Sequence, residues 1–272
     1  MTIAPESGTG ASMGENMSEF DLAGKVCLVT GSSRGIGAGV ARGLGACGAK
    51  VAVHYRSGRA EALQVAADVK RMGGASLLVE GDIAEPGTVE RLVAETVAGF
   101  GRLDILINNA GDQIARVNIA ETTDEMFDTH VAVNIRPTFA GCRAAVRQFR
   151  KQGTGGNIIN VSSIAARTGG GGGSYLYAGA KGFISTFSKA LAKEVATEGI
   201  RVNVVSPGVI ATDLQDRVTS AEQLRSTALQ IPMRRIGTPD ECTGAFLYLC
   251  SDKLCGYVTG QVIEVNGGLL MP

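Results

Sequence analysis

The 272-residue sequence contains no tryptophan, only two histidines and no excess of either charge. Lysine plus arginine and aspartate plus glutamate both total 26, so the composition does not favour nucleic acid as a partner. No apolar stretch approaches the ~20 residues that cross a bilayer, and we expect no membrane partner. The N-terminus lacks the basic and apolar regions of a secretory signal, so residues 1–20 are expected to form a disordered leader.

The six cysteines form no CxxC pair and have no histidine pair nearby, which argues against a bound metal. Most of them lie in apolar runs, such as Cys27 in "KVCLVT" and Cys250 in "AFLYLC". Cysteines in such runs are typically buried and reduced. We therefore expect a cytoplasmic protein without a metal site.

From Lys25 onward, short apolar runs alternate with longer amphipathic stretches. The apolar runs predict seven strands, at 25–30, 50–55, 75–82, 103–111, 157–163, 200–208 and 261–268. The amphipathic stretches predict helices at 35–48, 59–72, 86–99, 123–151, 175–197 and 238–251. Because continuous apolar strands are typical of parallel sheets buried on both faces, we predict an α/β fold. It would be a doubly wound, Rossmann-type parallel seven-stranded sheet with helices on both faces, in a single domain over 21–272.

"TGSSRGIG" (30–37) follows the first predicted strand and opens the first predicted helix. Its glycines, Gly31, Gly35 and Gly37, permit a tight turn and let backbone N–H groups approach a pyrophosphate. Glycines at this spacing can also serve a purely structural turn. Their place in the first βα unit favours a dinucleotide site.

The end of the second strand, "HYRSGR" (54–59), indicates which dinucleotide binds. Tyr55 stands where an NAD site typically has an acid that binds the ribose 2′-OH. Arg56 follows it, and Arg34 lies in the glycine loop, so two guanidiniums can bind a 2′-phosphate that no nearby carboxylate repels. NADP(H) is therefore preferred over NAD(H). The alternative is that Arg56 and Arg59 are solvated charges on the next helix.

Tyr177 and Lys181 lie four residues apart and therefore share one face of a predicted helix. A lysine there would lower the pKa of the tyrosine from about 10 by favouring the phenolate. Ser163, at the end of the fifth strand, could donate to a reacting oxygen. Ser162 is the alternative serine, but its side chain should point to the opposite face of the strand. Tyr175 lacks a cation four residues on and is expected to form a wall.

Taken in order, several segments resemble the classical short-chain dehydrogenase/reductase family over residues 21–272. They are "TGSSRGIG", "GDI" (81–83), "NNAG" (108–111), "VNI" (133–135), "INVSS" (159–163), "YAGAK" (177–181) and "SPGVIAT" (206–212). The tail "YVTGQVIEVNGG" (257–268) is similar to the branch that contains 3-oxoacyl-[acyl-carrier-protein] reductases.

This resemblance implies a role for each matching residue. Tyr177 would be the acid/base, Lys181 its modulator, Ser163 the carbonyl anchor and Asn134 the holder of a relay water. Asp82 and Ile83 would flank the adenine, and Asn109 to Gly111 would support the ribose. The cofactor-contacting residues predicted by motif and resemblance are Gly31, Ser32, Ser33, Arg34, Gly35, Ile36, Gly37, His54, Tyr55, Arg56, Ser57, Asp82, Ile83, Asn109, Ala110, Gly111, Tyr177, Lys181, Pro207, Gly208, Ile210 and Thr212.

The implied activity is NADP(H)-dependent reduction of a ketone, similar to a 3-oxoacyl thioester, which could be bound to a carrier protein or coenzyme A. A secondary-alcohol, sugar or polyol dehydrogenase is the alternative within the family, and a non-catalytic NADP-binding sensor is the alternative outside it. Lys193 matches a basic position of the carrier-protein reductases, but it is equally explained as a solvated helix residue. The resemblance also implies a homotetramer, whereas the plain alternative is that Phe183, Phe187 and Leu191 only face the sheet.

Two segments are expected to border the substrate. The segment 209–237 interrupts the strand–helix rhythm and is interpreted as a helical substrate flap. The run of five glycines at 169–173 lies between Ser163 and Tyr177, which stand 14 residues apart, a long spacing for the family. Because it removes every side chain from this loop, we hypothesise a roomy or mobile substrate pocket.

Overall fold

The computed structural model describes residues 20–213 and 220–272, so the predicted leader falls outside it except for Phe20. Seven strands form one parallel sheet in the order β3-β2-β1-β4-β5-β6-β7. They are β1 (Val26–Val29), β2 (Lys50–Tyr55), β3 (Ala75–Glu80), β4 (Ile105–Asn108), β5 (Gly156–Val161), β6 (Ile200–Pro207) and β7 (Val262–Val265). The α/β prediction is confirmed. Most predicted strands were too long because their ends included the loop residues that follow the carboxyl edge.

The helices surround this sheet. They are α1 (Gly35–Ala46), α2 (Arg59–Arg71), α3 (Thr88–Phe100), α4 (Asp124–His130), α5 (Arg136–Gln152), α6 (Ala165–Thr168), α7 (Tyr175–Val195), α8 (Ala221–Gln230), α9 (Pro239–Cys250) and α10 (Asp252–Cys255). Within the described residues, no helix has the length and apolar character needed to cross a membrane.

Alternate residues of each strand face two separate apolar layers. Cys27 and Val29 of β1 join the layer of Leu44 from α1, whereas Leu28 joins that of Phe149 from α5. Both layers exclude water, which is why most strand residues are apolar on both faces. β1 lies between β2 and β4. The order in which successive strands are added therefore runs in opposite directions on the two sides of β1. A doubly wound sheet binds its ligand at such a switch point, and the glycine loop follows β1 there.

The predicted helix at 123–151 is interrupted. One wide turn, Val131–Ile135, separates α4 from α5, and the Arg136 N–H donates to the carbonyl five residues back, on Val131. Pro137 has no N–H with which to continue the regular ladder, which explains the break. Asn134 lies within this wide turn, a feature that is frequent at functional sites.

The segment 209–237 is held at both ends beside the sheet. The Ala211 N–H donates to the Gly237 carbonyl at 2.9 Å, and the Gly237 N–H donates to the Val209 carbonyl at 3.0 Å. The described residues between these two hydrogen-bonded ends include helix α8. Residues 214–219 lie outside the described residues. The role of the segment as a substrate flap stays a prediction.

Candidate active site

The glycine loop after β1 has a conformation that only glycine can provide. Gly31 and Gly35 have φ of +65° and +54°, and a Cβ on Gly37 would lie 2.4 Å from the Gly31 carbonyl oxygen. No side chain caps the N-terminus of α1, and its first turn holds no acidic residue. The first N–H groups of the helix and its dipole are therefore available to an anion, which fits the pyrophosphate of a dinucleotide.

His54 fastens the glycine loop to the neighbouring strands. Its Nδ1 accepts from the Gly31 N–H at 2.8 Å, and its Nε2 lies 3.0 Å from the Gly81 carbonyl oxygen. Because Nδ1 accepts and Nε2 donates, the ring is neutral. Burial lowers the pKa of His54, which agrees with this state. Ser32 is also buried and donates to the Val29 carbonyl at 2.7 Å, so it supports the loop from behind.

Arg56 follows the carboxyl end of β2 and Arg34 lies in the glycine loop after β1, but each faces a carboxylate. Arg34 pairs with Asp213 at 3.2 Å, and Arg56 lies 3.8 Å from Asp82. The prediction that no carboxylate lies near these guanidiniums is therefore wrong, because the two acids come from distant parts of the chain. The Arg34 guanidinium also lies against Gly58, because a Cβ on Gly58 would be only 2.8 Å from a guanidinium nitrogen. Both guanidiniums therefore lie near the end of β2.

"NNAG" is tied to β1 by hydrogen bonds. The Thr30 hydroxyl accepts from the N–H groups of Asn109 and Ala110, both at 3.0 Å, and Asn109 Nδ2 donates to the Thr30 carbonyl at 2.8 Å. Farther along the chain, the Gly208 N–H donates to the Val265 carbonyl at 2.9 Å, which places "SPG" beside β7.

One cavity of about 980 Å³ runs along this edge of the sheet. All the predicted cofactor residues except Ser32 line it, and so does Ser163. Asn134 is buried behind the wall and does not line the cavity.

Ser163, Tyr177 and Lys181 lie together at one end of this cavity. The Ser163 hydroxyl lies close enough to Tyr177 to act on its pKa, and Lys181 Nζ lies 5.5 Å from the centre of the Tyr177 ring. Lys181 is buried and donates to the Val161 carbonyl at 2.8 Å. The structure therefore brings Tyr177 and Lys181 of α7 together with Ser163, which lies two residues after the end of β5.

Burial sets the acidity of both helical groups. It raises the pKa of Tyr177 to about 12, an effect that the Ser163 hydroxyl opposes and the charge of Asp112 reinforces. Burial also lowers the pKa of Lys181 to about 8. The expected lowering of the tyrosine pKa is thus wrong, because desolvation of a phenolate outweighs the favourable contacts. The phenol is protonated at neutral pH.

Asn134 holds the loop that follows "NNAG". Its Nδ2 donates to the Asp112 carbonyl at 2.9 Å, and its Oδ1 accepts from the Asp112 N–H at 3.0 Å. A Cβ on Gly111 would lie 2.9 Å from Asn134 Oδ1 and 3.3 Å from Lys181 Nζ. Glycine at 111 therefore lets Asn134 and Lys181 approach the loop closely. The water-holding role of Asn134 stays a prediction.

The two rejected candidates have other roles. Ser162 borders the cavity, but its hydroxyl donates to the Lys181 carbonyl at 2.8 Å and lies 2.7 Å from the Ser185 hydroxyl. Tyr175 hydrogen-bonds to Thr122 and lines a separate cavity of about 190 Å³. It is not a wall of the main cavity, because its side chain turns to the other side of the loop that precedes α7.

Sequence reasoning missed a group of polar side chains that line the rest of the main cavity. They come from the segment after β4, from the end of α6, from the residue before α7 and from α8, and they are Asp112, Gln113, Arg116, Thr168, Ser174, Gln223, Ser226, Thr227 and Gln230. The available signal was their position directly after carboxyl strand ends and, on α8, their helical spacing. Among the described residues, no three His, Cys, Asp or Glu side chains are grouped to hold a metal ion.

The parallel sheet with its switch point at β1 and the uncapped, glycine-rich turn are typical of a Rossmann-type dinucleotide-binding protein. A family model described as Enoyl-(Acyl carrier protein) reductase matches residues 31–270. The 3-oxoacyl-[acyl-carrier-protein] reductase of Escherichia coli (strain K12) is 39% identical over 93% of this chain and 100% of its own length. The chain belongs to the short-chain dehydrogenase/reductase family.

Two other similar proteins differ in what their names record. The L-rhamnose 1-dehydrogenase (NAD(P)(+)) of Azotobacter vinelandii is 35% identical, over 92% of this chain and 98% of its own. A solved short-chain dehydrogenase from Burkholderia cenocepacia J2315 in complex with NADP has a TM-score of 0.83 and 30% identity. That similarity covers 91% of this chain and 98% of the solved chain.

Proposed function

We propose that this protein reduces a ketone to a secondary alcohol with NADPH, and catalyses the reverse oxidation with NADP⁺. The observation that carries the proposal is the single cavity that joins the uncapped N-terminus of α1 to Ser163, Tyr177 and Lys181. A dinucleotide bound along this cavity would bring its nicotinamide end to the same place as the three side chains.

The reduced cofactor, when bound, supplies a hydride to the carbonyl carbon. Ser163 donates a hydrogen bond to the carbonyl oxygen, and Tyr177 gives that oxygen its proton. A tyrosine pKa of about 12 keeps the phenol in its donor form at neutral pH. Lys181 holds the ribose hydroxyls and stabilises the phenolate left after transfer, which solvent then reprotonates.

The preference for NADP(H) rests on Arg34 in the glycine loop and Arg56 after β2. Both line the cavity, and Tyr55 stands where an NAD site has its acid. A 2′-phosphate would take over contacts that Asp213 and Asp82 now make, and its higher charge favours that exchange. We expect Arg56→Ala to lower kcat/KM for NADPH at least tenfold and to change kcat/KM for NADH less than threefold. Equal losses with both cofactors would contradict the preference.

The comparisons support two substrate classes. The Escherichia coli relative supports a 3-oxoacyl thioester on a carrier protein or coenzyme A, and the Azotobacter relative supports a sugar or polyol. Docking of an acidic carrier protein needs basic surface, yet Arg150 is engaged by both oxygens of Glu198 at 2.7 Å, and Glu194 adjoins Lys193. The Arg150 charge on this surface is thus already matched.

The test is NADPH oxidation, followed at a fixed enzyme concentration, with a panel of ketones and acyl thioesters. The proposal predicts turnover with at least one member and its loss in Tyr177→Phe. Tight NADPH binding without turnover of any member would favour a non-catalytic sensor. A Tyr175→Phe variant is the matched control, because Tyr175 lies outside the main cavity.

We also propose a homotetramer in a reducing compartment. Phe183 stacks on Phe187 with ring centres 5.3 Å apart, and Phe139 meets Phe187 edge-on at 6.3 Å. Phe139 and Phe183 are 42% and 38% exposed, so this aromatic cluster is more than a contact with the sheet. All six cysteines are buried and unpaired, as is usual in the cytoplasm.

A further inference from the structure

The walls of the cavity carry information about the substrate that the cofactor motifs do not use. Three segments without a cofactor motif line this cavity: residues 112–116, residues 164–174, which include the short helix α6, and helix α8. Their apolar lining residues, among those described, are Ile164 and Ala165. The nine polar side chains named above and two glycines make up the rest of the lining that these segments contribute, whereas Val133, Val209 and Leu269 line the cavity from other segments.

Helix α8 presents a polar stripe to the cavity. Gln223, Ser226, Thr227 and Gln230 all line it, and their spacing of three, four and seven residues places them on one face. An apolar residue, Leu229, is 66% exposed and does not line the cavity. A helix that binds an acyl chain would instead turn its apolar side chains toward the cavity, because an alkyl chain gains binding energy from apolar contact.

The opposite wall contains a built, buried polar pair. Gln113 Nε2 donates to the Ser174 hydroxyl at 2.7 Å, and the side chains are only 6% and 3% exposed. Ser174 immediately precedes α7, three residues before Tyr177. Asp112, whose charge acts on Tyr177, adds a carboxylate to the same wall. Carboxylate, amide and hydroxyl groups accept and donate hydrogen bonds to substrate hydroxyls.

We infer that the site takes a small, multiply hydroxylated ketone and the corresponding polyol, rather than an alkyl 3-oxoacyl thioester. Hydroxyls next to the reacting carbon would bind Asp112 and the Gln113–Ser174 pair, and α8 would bind those farther away. The glycines help here, because Gly170 and Gly171 line the cavity and leave room beside these groups. The inference rests on the proposed ketone reduction and selects its substrate class.

The test compares two sets of probes at saturating NADPH. The hydroxylated set is erythrulose and fructose, with xylitol and NADP⁺ for the reverse reaction. The apolar set is 2-octanone and the N-acetylcysteamine thioester of 3-oxooctanoate. We expect kcat/KM to be at least tenfold higher for the better hydroxylated ketone than for either apolar probe.

Two variants of α8 make the test specific. Thr227→Val keeps the shape and removes the hydroxyl, and Gln230→Leu replaces the amide by an apolar group. Each is expected to lower kcat/KM for the hydroxylated ketone about five- to tenfold, since one hydrogen bond is lost. Neither should lower kcat/KM for 2-octanone. Leu229→Gln, on the side of α8 away from the cavity, is the control and should change neither value.

The outcomes separate this inference from the proposed function. Better turnover of the thioester than of every hydroxylated probe would overturn the substrate class and leave ketone reduction standing. Equal losses on both sets in Thr227→Val and Gln230→Leu would also overturn it, because α8 would then matter only for folding. No turnover of any probe, with NADPH bound, would overturn the proposed function itself.

Discussion

The glycine run 169–173 offers an internal comparison, because its members meet different surroundings. Gly173 has φ of +74°, and a Cβ there would lie 2.8 Å from the Val117 nitrogen. Gly169 has φ of +81°, but no described atom lies within 4 Å of the position of its Cβ. Gly172 has neither a left-handed φ nor a described neighbour within 4 Å. Alanine substitutions can therefore separate backbone strain from steric conflict.

The expected losses of stability are graded. Gly169→Ala should lower the free energy of unfolding by about 1–2 kcal/mol, the cost of a left-handed alanine. Gly173→Ala adds a backbone overlap of the kind that costs about 1–3 kcal/mol, for a total of about 2–5 kcal/mol. Gly172→Ala should stay within about 0.5 kcal/mol of the parent protein.

The assay is urea unfolding of the three variants and the parent at one protein concentration, since association would couple stability to concentration. Activity measured under native conditions then shows whether the loop also limits substrate entry. Equal losses in all three variants, or a larger loss in Gly172→Ala than in Gly173→Ala, would refute this account of the loop.

Three further predictions concern the cofactor site and the aromatic cluster. His54→Phe leaves the Gly31 N–H and the Gly81 carbonyl without their partner, so NADPH should bind about ten- to a hundredfold more weakly in a fluorescence titration. Because burial lowers the pKa of His54 from its ordinary 6.5, the Gly31 contact should be intact above that pH and weaken only as the pH falls below it; an NADPH affinity that falls as the pH rises through 6.5 would argue against this role. Lys181 has a pKa of about 8 and loses its charge as the pH rises through that value, so kcat/KM for NADPH should fall there. The Lys181→Arg variant stays charged and should lack this inflection. An unchanged pH profile in the variant would assign the inflection to another group. Phe183→Ser should shift the molecular mass measured by light scattering toward smaller species, whereas an unchanged mass would remove the aromatic cluster from the interface.

The sequence was sufficient for the features that depend on local pattern. Apolar runs marked all seven strands, and the glycines after β1 marked a turn that no other residue can form. The four-residue spacing of Tyr177 and Lys181 also predicted a shared helical face correctly. Each of these features is determined by residues close together in the chain, where period and turn chemistry decide the structure.

Features that depend on distant residues were not predictable in this way. Asp82 and Asp213 reach the cofactor arginines only through the fold, and burial, which the sequence does not display, reverses the expected pKa shift of Tyr177. The proline at 137 could have indicated the break in the predicted helix 123–151, but the apolar periodicity favoured one continuous helix. The polar face of α8 was also visible, but its meaning required knowing which side faces the cavity.

The central claim is that Tyr177 gives its proton to a ketone reduced at this site. The most direct measurement is the single-turnover rate of NADPH oxidation with excess erythrulose in the parent protein and in Tyr177→Phe, with NADPH affinity measured in both. The account predicts a rate at least about 10²-fold lower in the variant, the smaller end of a general acid's contribution, with NADPH affinity within threefold. An equal rate in both proteins would contradict it.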